Sequence, residues 1–272
     1  MFFQTKLPDT PRCYAHLIGG CSNKMSKEHV FTQAVMAKVG MIGMTGYPNR
    51  PDSTIGISSA VSKILCRAHN SELSVLDNEA KKLSDALIDF STGKSPGIVH
   101  LDGAKFERWL LKVTLGYLAA GHTCLGRLYP RVPDVIHALY GHIPLGSPIG
   151  MYSLVEVGSW PEHPREILFR ELVATDPAGQ ARCVGAFISL HRVPFLFWFG
   201  GPFPIRDYLL KPDGSSYLDP YDCTTASTRF HPTATRLSCD GVPDLVMNFA
   251  WPLCTNGSAG ATLWSVARKF VG

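Results

Sequence analysis

The chain has 272 residues, 45% hydrophobic and 18% charged, a composition typical of a globular protein and one that excludes a wholly disordered chain. Its net charge of +4 is too small to identify a nucleic-acid-binding protein by itself. The most apolar segments, residues 109–120 and 193–203, are too short or too interrupted to cross a membrane, so we expect no membrane partner. The amino terminus lacks the charged, apolar and small-residue regions of a signal peptide, and we therefore expect a cytoplasmic protein.

The first elements along the chain are two short strings that pair metal-binding side chains. Cys13 and His16 have two residues between them, and so do Cys66 and His69. This spacing lets a tight turn direct both side chains of a pair at one ion, so the four residues predict a tetrahedral zinc site. Cys21 follows a Gly-Gly turn after the first pair and is an alternative ligand in place of His16.

Between the two pairs, the pattern predicts a short strand over residues 24–30 that carries Glu28 and His29. A brief helix is expected over residues 31–39, and a variable loop without clear periodicity over residues 40–59. The β-branched residues of segment 55–65 then predict a strand that brings Cys66 beside Cys13.

A long amphipathic helix is predicted over residues 71–90, with Asn70 at its N-cap. Ser74 and Asp77 follow Asn70 at positions i+4 and i+7, on the same face of this helix. The Gly, Ser and Pro residues of segment 91–97 indicate a linker. We therefore divide the chain into an N-terminal domain of residues 1–95 and a second domain of residues 96–272.

The second domain is predicted to begin with helices and to continue with strands. One helix is capped by Asp102 and ends at Gly121, and a shorter helix spans residues 134–140. Apolar segments predict three strands, at 167–175, 182–191 and 195–199. A turn at 176–180 joins the first two strands, and an irregular stretch follows at 202–260. The fold class is α+β with a β-rich C-terminal part, which we expect to select a target or a protein partner.

The zinc-ligand pairs, the string Glu28-His29-Val30 between them, and Asn70 directly after the second pair resemble the HNH branch of the His-Me finger (ββα-metal) endonucleases. The resemblance is to the zinc-knuckle subtype and covers about residues 10–90. It implies an N-terminal zinc-stapled ββα-metal finger and a metal-dependent endonuclease that hydrolyses phosphodiester bonds. DNA is the expected substrate, RNA stays open, and fold-level analogy suggests an effector of bacterial defence or of a mobile element.

The resemblance also implies a role for each residue of the N-terminal unit. His29 is the expected general base, and Glu28 with Asn70 is expected to hold a catalytic Mg²⁺ or Mn²⁺ ion. Asp77 and Ser74 are candidates to support that site. Zinc is structural in this scheme. Residues 1–67 carry eight basic and three acidic side chains. Four of these basic residues are expected to contact the nucleic-acid backbone, namely Lys24, Lys27, Lys63 and Arg67.

The alternative function is a zinc-stapled nucleic-acid-binding or scaffold protein that does not cleave. It is favoured by a departure from the family pattern, because the usual central Asn before the second ligand pair is replaced by Ser58, Ser59 or Ser62. The proline that often follows the catalytic histidine is also absent after Val30. Cleavage of nucleic acid in the presence of Mg²⁺ or Mn²⁺ separates the two functions.

Overall fold

The computed structural model describes most of the chain, namely residues 3–6, 13–39, 41–47, 50–56, 61–94, 97–146, 148–153, 167–175, 179–200, 229–239 and 242–251. Its helices are α1 (Gln33–Met36), α2 (Arg67–Ser91), α3 (Gly103–Ala120) and α4 (Pro133–Leu139), with a 3-10 helix at His16–Ile18. Its strands before α3 are β1 (Phe3–Gln4), β2 (Glu28–His29), β3 (Met41–Tyr47), β4 (Arg50–Gly56), β5 (Val61–Ser62) and β6 (Ile98–Asp102). Those after α3 are β7 (Tyr129–Pro130), β8 (Gly150–Ser153), β9 (Ile167–Thr175), β10 (Ala181–Leu190), β11 (Val193–Trp198), β12 (Arg229–Phe230), β13 (Ala234–Cys239) and β14 (Val242–Ala250).

The described strands form one large sheet and three small ones. The large sheet has seven strands in the order β12-β8-β11-β10-β9-β3-β4, and β3 runs parallel to β9. A three-stranded sheet has the order β13-β14-β6, and β1 pairs with β7 while β2 pairs with β5. The predicted mixed α+β class with a β-rich C-terminal part is therefore confirmed.

The strands predicted from apolar runs are present in the large sheet. Strands β9, β10 and β11 lie within two residues of their predicted bounds, and every residue of β11 is buried, as its uninterrupted apolar sequence indicates. The predicted turn at 176–180 lies mostly outside the described residues, as does much of the segment 202–260.

The two long helices begin and end with different caps. At α3, the Asp102 carboxylate accepts a hydrogen bond from the Lys105 amide at 3.0 Å, and Gly121 adopts φ 78° at the C-cap, both as predicted. Helix α2 starts earlier than predicted. Its N-cap is Cys66, in an extended conformation, and the carbonyl of Cys66 accepts from the amide of Asn70 at 2.9 Å. Asn70 therefore lies in the first turn of the helix, which corrects its predicted place at the N-cap.

The segment predicted to be a variable loop, residues 40–59, contains the hairpin β3–β4. Strand β3 adds this hairpin to the large sheet through β9, so the N-terminal third contributes to a sheet built mainly from later residues. The strand predicted over residues 55–65 is short in the structure, because β5 covers Val61–Ser62. The predicted division between residues 95 and 96 is therefore crossed by strand pairing.

Helix α3 lies in the main core and contacts elements from both sides of that division. The ring of Tyr117 stacks on Phe169 of β9 at 3.8 Å between centroids and meets Phe31 edge-on at 5.5 Å. The ring of Trp109 also packs against Phe31, at 5.9 Å between centroids. Aromatic packing thus joins the segment after His29 to the large sheet. No helix in the described part of the chain has the length and apolar character needed to span a lipid bilayer.

Candidate metal centre and adjoining histidine

Four donor side chains meet where the start of α2 contacts the N-terminal segment. Cys13 precedes the 3-10 helix, Cys21 follows it, and Cys66 and His69 lie at the N-cap and in the first turn of α2. Their donor atoms all lie within 4.8 Å of one another. Residues from two distant segments therefore form one group that can hold a metal ion.

The distances within this group suit zinc. The Nδ1 atom of His69 lies 3.3 Å from Sγ of Cys13, 3.4 Å from Sγ of Cys66 and 3.6 Å from Sγ of Cys21. Tetrahedral zinc with ordinary bond lengths separates a sulfur from a nitrogen ligand by about 3.6 Å. Three thiols with one imidazole is a common structural zinc set, and four protein ligands leave no open position for a substrate.

The protonation of these groups follows from their surroundings. Burial raises the pKa of the Cys13 thiol to about 12 and also raises the pKa of Cys21. At Cys66, burial opposes ionisation, but hydrogen bonds from the backbone amides of His69 and Ser22 lower the pKa overall. Burial lowers the pKa of His69, which keeps its imidazole neutral. A bound cation would favour the thiolates that burial alone disfavours.

His16 is outside the metal-binding group, which corrects the predicted ligand set. The 3-10 helix turns its imidazole back, so that Nδ1 of His16 lies 3.0 Å from the carbonyl oxygen of Cys13. Gly19 and Gly20 then adopt φ 76° and 70°, a conformation that glycine tolerates best. This reversal carries Cys21, the alternative ligand, to the centre in place of His16.

Helix α4 covers the centre from a part of the chain where no site was predicted. The hydroxyl of Tyr140, at the C-cap of α4, donates to the carbonyl oxygen of His69 at 3.0 Å. The two rings meet edge-on at 5.5 Å between centroids. Tyr140 therefore holds the first turn of α2 in place, and nothing in the sequence spacing indicated this contact.

The Glu28-His29 string lies on a strand next to the metal centre. Glu28 pairs with Ser62 and His29 with Val61 in the antiparallel pair β2–β5. A further bridge joins Met25 to the N-cap residue Cys66. The strand pair and the start of α2 therefore form one small unit, and the metal-binding group ties its ends together.

His29 has the properties of a base. The side chain is half-buried, its Nδ1 atom is buried, and this atom has no hydrogen-bond partner among the described residues. Burial lowers the pKa of His29 from its ordinary value of 6.5, so the imidazole is neutral near pH 7. A neutral imidazole can accept a proton from water.

The residues predicted to hold the catalytic divalent ion already have partners within the chain. Glu28 is buried, and one carboxylate oxygen, Oε1, lies 3.0 Å from Nζ of Lys112 on α3. Burial raises the pKa of Glu28, while Lys112 and a hydrogen bond from the side chain of Asn70 act to lower it. The side-chain amide of Asn70 also donates to Oγ of Ser26 at 2.9 Å. A cation of the chain therefore already lies at the carboxylate predicted to bind the divalent ion.

The two predicted supporting residues differ in their surroundings. Asp77 belongs to the same cluster as Glu28, because its two carboxylate oxygens each lie 3.0 Å from Nζ of Lys112 and Oδ1 also accepts from Thr32 at 2.7 Å. Ser74 is exposed and donates to the carbonyl oxygen of Ser71, within its own helix. Asp77 is thus part of the site, and Ser74 lies apart from it.

The sequence pattern did not indicate three further residues of this cluster, namely Lys112, Thr32 and Trp109. The indole nitrogen of Trp109 donates to Oγ1 of Thr32 at 2.8 Å. The one available signal was a lysine within the otherwise apolar segment 109–120, since a lysine inside a buried helix needs a charged partner.

The four basic residues predicted to contact nucleic acid lie along the same unit; they are Lys24, Lys27, Lys63 and Arg67, and all four are exposed. Lys27 directly precedes β2, and Lys63 directly follows β5. The carbonyl oxygen of Lys24 accepts from the amide of Arg67 at 2.8 Å. Positive charge is therefore presented beside the strand that carries His29.

Comparison of the chain with protein-family models, curated proteins and solved structures finds no match. The function is therefore inferred from the geometry of the site. That geometry combines a closed group for one metal ion, a neutral histidine on the adjoining strand, and exposed positive charge. Such a unit can bind a polyanion and remove a proton from water.

Proposed function

We propose that the chain is an endonuclease that hydrolyses phosphodiester bonds of nucleic acid, with DNA as the expected substrate. The proposal assigns β2, β5 and the start of α2 to a zinc-stapled ββα-metal finger. The observation that carries it is His29, a half-buried histidine that burial keeps neutral near pH 7 and that lies outside the metal-binding group. It lies on β2, which directly follows the exposed Lys27.

Each part of the unit has a physical role in this proposal. Zinc, held by Cys13, Cys21, Cys66 and His69, would fix the strand pair against α2, because so small a unit has little core of its own. The exposed basic residues would hold the phosphate backbone and would favour binding with little sequence preference. His29 would accept a proton from the attacking water as the water oxygen bonds to phosphorus, while the P–O bond to one sugar oxygen breaks and that oxygen takes a proton from solvent.

The resemblance implies a Mg²⁺ or Mn²⁺ ion at Glu28 and Asn70, and these residues do not fit that role as they stand. The Glu28 carboxylate is paired with Lys112, and the Asn70 amide donates to Ser26. We therefore assign no step of the reaction to a divalent ion at these residues. Selection of a target or a protein partner is assigned to residues 96–272.

The proposal is tested with the zinc-loaded full chain on supercoiled plasmid, single-stranded DNA and RNA. Each substrate is incubated with Mg²⁺, with Mn²⁺ and without either ion. We expect cleavage of at least one substrate by the parent and a large loss in His29→Ala. If no substrate is cut under any condition, the chain is not the proposed endonuclease.

A second function, a nucleic-acid-binding or scaffold protein that does not cleave, is favoured by one specific observation. A buried ammonium group from Lys112 pairs with the carboxylate that the resemblance assigns to the catalytic ion. This function predicts binding without cleavage. Replacing Lys24 and Arg67 by Glu would then weaken binding of duplex DNA, whereas His29→Ala would leave binding unchanged.

A further inference from the structure

We propose that the ammonium group of Lys112 replaces the divalent metal ion in this protein, so that the Glu28 and Asp77 carboxylates bind no Mg²⁺ or Mn²⁺ in the native chain. The resident cation would then be an amine of the chain itself. This inference rests on the proposed function in one respect, namely that Glu28 belongs to the same catalytic unit as His29. Its test measures metal binding, so it can fail or succeed independently of cleavage.

The ammonium group of Lys112 lies between the two carboxylates. Nζ of Lys112 lies 3.0 Å from Oε1 of Glu28, 3.0 Å from Oδ1 of Asp77 and 3.0 Å from Oδ2 of Asp77. The ammonium group donates hydrogen bonds to the Asp77 carboxylate and forms an ion pair with Glu28, so its positive charge is shared by both. The Lys112 side chain is 5% exposed and the Glu28 side chain 8% exposed, so water contributes little to either group.

The remaining charge of the two carboxylates is met by neutral donors. The Thr32 hydroxyl donates to Oδ1 of Asp77 at 2.7 Å, and the side chain of Asn70 acts to lower the pKa of Glu28. Hydrogen bonds to an ionised carboxylate stabilise its charged form. Both carboxylates therefore already contact a cation of the protein, and Asp77 also accepts from Thr32.

Helix α3 places the Lys112 ammonium group at the two carboxylates. Trp109 and Lys112 are three residues apart, on one face of α3. Trp109 also contacts the cluster, because its indole donates to Thr32, which in turn donates to Asp77. Lys112 is separated by 35 residues from Asp77, its partner on α2. The position of the ammonium group thus depends on how α3 packs against α2 and the β2 strand.

A divalent ion and the ammonium group cannot use the same oxygens together. Mg²⁺ binds carboxylate oxygens at about 2.1 Å in octahedral geometry, which would place it in contact with an ammonium group that shares those oxygens. Like charges at such a distance repel strongly where water is excluded. Removal of the ammonium alone would leave two carboxylates close together, an arrangement that favours a replacement cation.

The test is a titration of Mn²⁺ into the zinc-loaded full chain, followed by the electron paramagnetic resonance signal of free Mn²⁺. We expect no stoichiometric Mn²⁺ binding by the parent and about one bound ion per chain in Lys112→Met. Lys112→Arg, which keeps the positive charge, is the matched control and should bind none. Adding Asp77→Asn to Lys112→Met should abolish the gained site.

Two results would overturn the proposal. The first is stoichiometric Mn²⁺ binding by the parent that is lost in Glu28→Gln. The second is a Lys112→Met protein that folds, as judged by its circular dichroism and zinc content, and still binds no Mn²⁺. If Lys112→Met does not fold, the parent titration decides, because binding lost in Glu28→Gln refutes the proposal and its absence supports it.

Discussion

The Sγ atom of Cys21 lies 3.6 Å from the Nδ1 atom of His69, although 48 residues separate them in the chain. Cys13 and Cys66 approach the same nitrogen at 3.3 and 3.4 Å. The contact between Cys21 and His69 makes Cys21 the fourth member of the metal-binding group, since His16 contacts the backbone of Cys13 instead.

The first prediction concerns zinc content. The parent should carry about one zinc per chain, and Cys21→Ser should bind zinc more than about 100-fold more weakly, because loss of a direct ligand costs more than loss of an outer contact. His16→Gln is the matched control and should keep parent affinity. Competition with a chromophoric chelator measures both, and weaker binding in His16→Gln than in Cys21→Ser would contradict the assignment.

The second prediction concerns His29 as a catalytic base. His29→Ala should reduce the cleavage rate by about 10²- to 10⁴-fold, the usual contribution of a general base. Zinc content, circular dichroism and affinity for duplex DNA should not change, since His29 is not part of the metal-binding group. Rates under single-turnover conditions provide the measurement. A variant with parent activity would remove His29 from the mechanism.

The third prediction concerns the pH dependence of cleavage. Burial lowers the pKa of His29 from 6.5, and only the neutral imidazole can accept a proton. The neutral fraction rises as pH rises through this lowered pKa, so the acid limb of the rate profile should have its midpoint below pH 6.5 and a plateau by about pH 7. The limb should be absent from residual activity in His29→Ala. A midpoint above pH 6.5 would show that another group controls the rate.

The fourth prediction concerns the hydroxyl of Thr32, which accepts from Trp109 and donates to Asp77. Thr32→Val keeps the shape of the side chain but leaves the buried Trp109 indole N–H without its acceptor and removes one donor from Asp77, which should cost about 1–3 kcal/mol of unfolding free energy. Thr32→Ser keeps the hydroxyl and should cost less. Urea unfolding of the two variants measures the difference, and equal stabilities would show that the hydroxyl contributes little.

The fifth prediction concerns the division between residues 95 and 96. A fragment of residues 1–95 lacks β9, the partner of β3, and lacks Trp109 and Tyr117, which contact Phe31. We expect the fragment to bind zinc but to unfold without a cooperative transition, because its apolar surface remains exposed. Differential scanning calorimetry with zinc present is the measurement. A sharp transition like that of the full chain would instead establish an independent domain.

Local features of the sequence were sufficient to predict several elements and part of the site. The apolar periodicity of segment 71–90, the cap residues Asp102 and Gly121, and the apolar run of β11 all depend on neighbouring residues, and the structure contains each of them. Cys66 and His69 could be predicted as a ligand pair for the same reason, because their close spacing is itself a local pattern.

The choice between His16 and Cys21 was open from the sequence, since both lie near Cys13 and both can bind zinc. The backbone decided it. A 3-10 helix and two glycines with positive φ set the direction of each side chain, and spacing alone does not report that direction. Similarly, the loop expected over residues 40–59 contains strands because β3 finds a partner in β9, a contact that no local pattern contains.

The sequence by itself determined the long helices, the apolar strands of the large sheet and the ligand pair Cys66-His69, because these follow from residues that are near one another in the chain. Only the tertiary structure placed Lys112 against Glu28 and Asp77. Asp77, the nearer of the two in sequence, is 35 residues from Lys112. That contact results from the packing of α3 against α2, which buries an apolar helix face and carries the ammonium group to the two carboxylates with it. Long-range burial, and not local spacing, therefore decided which cation lies at the predicted catalytic site.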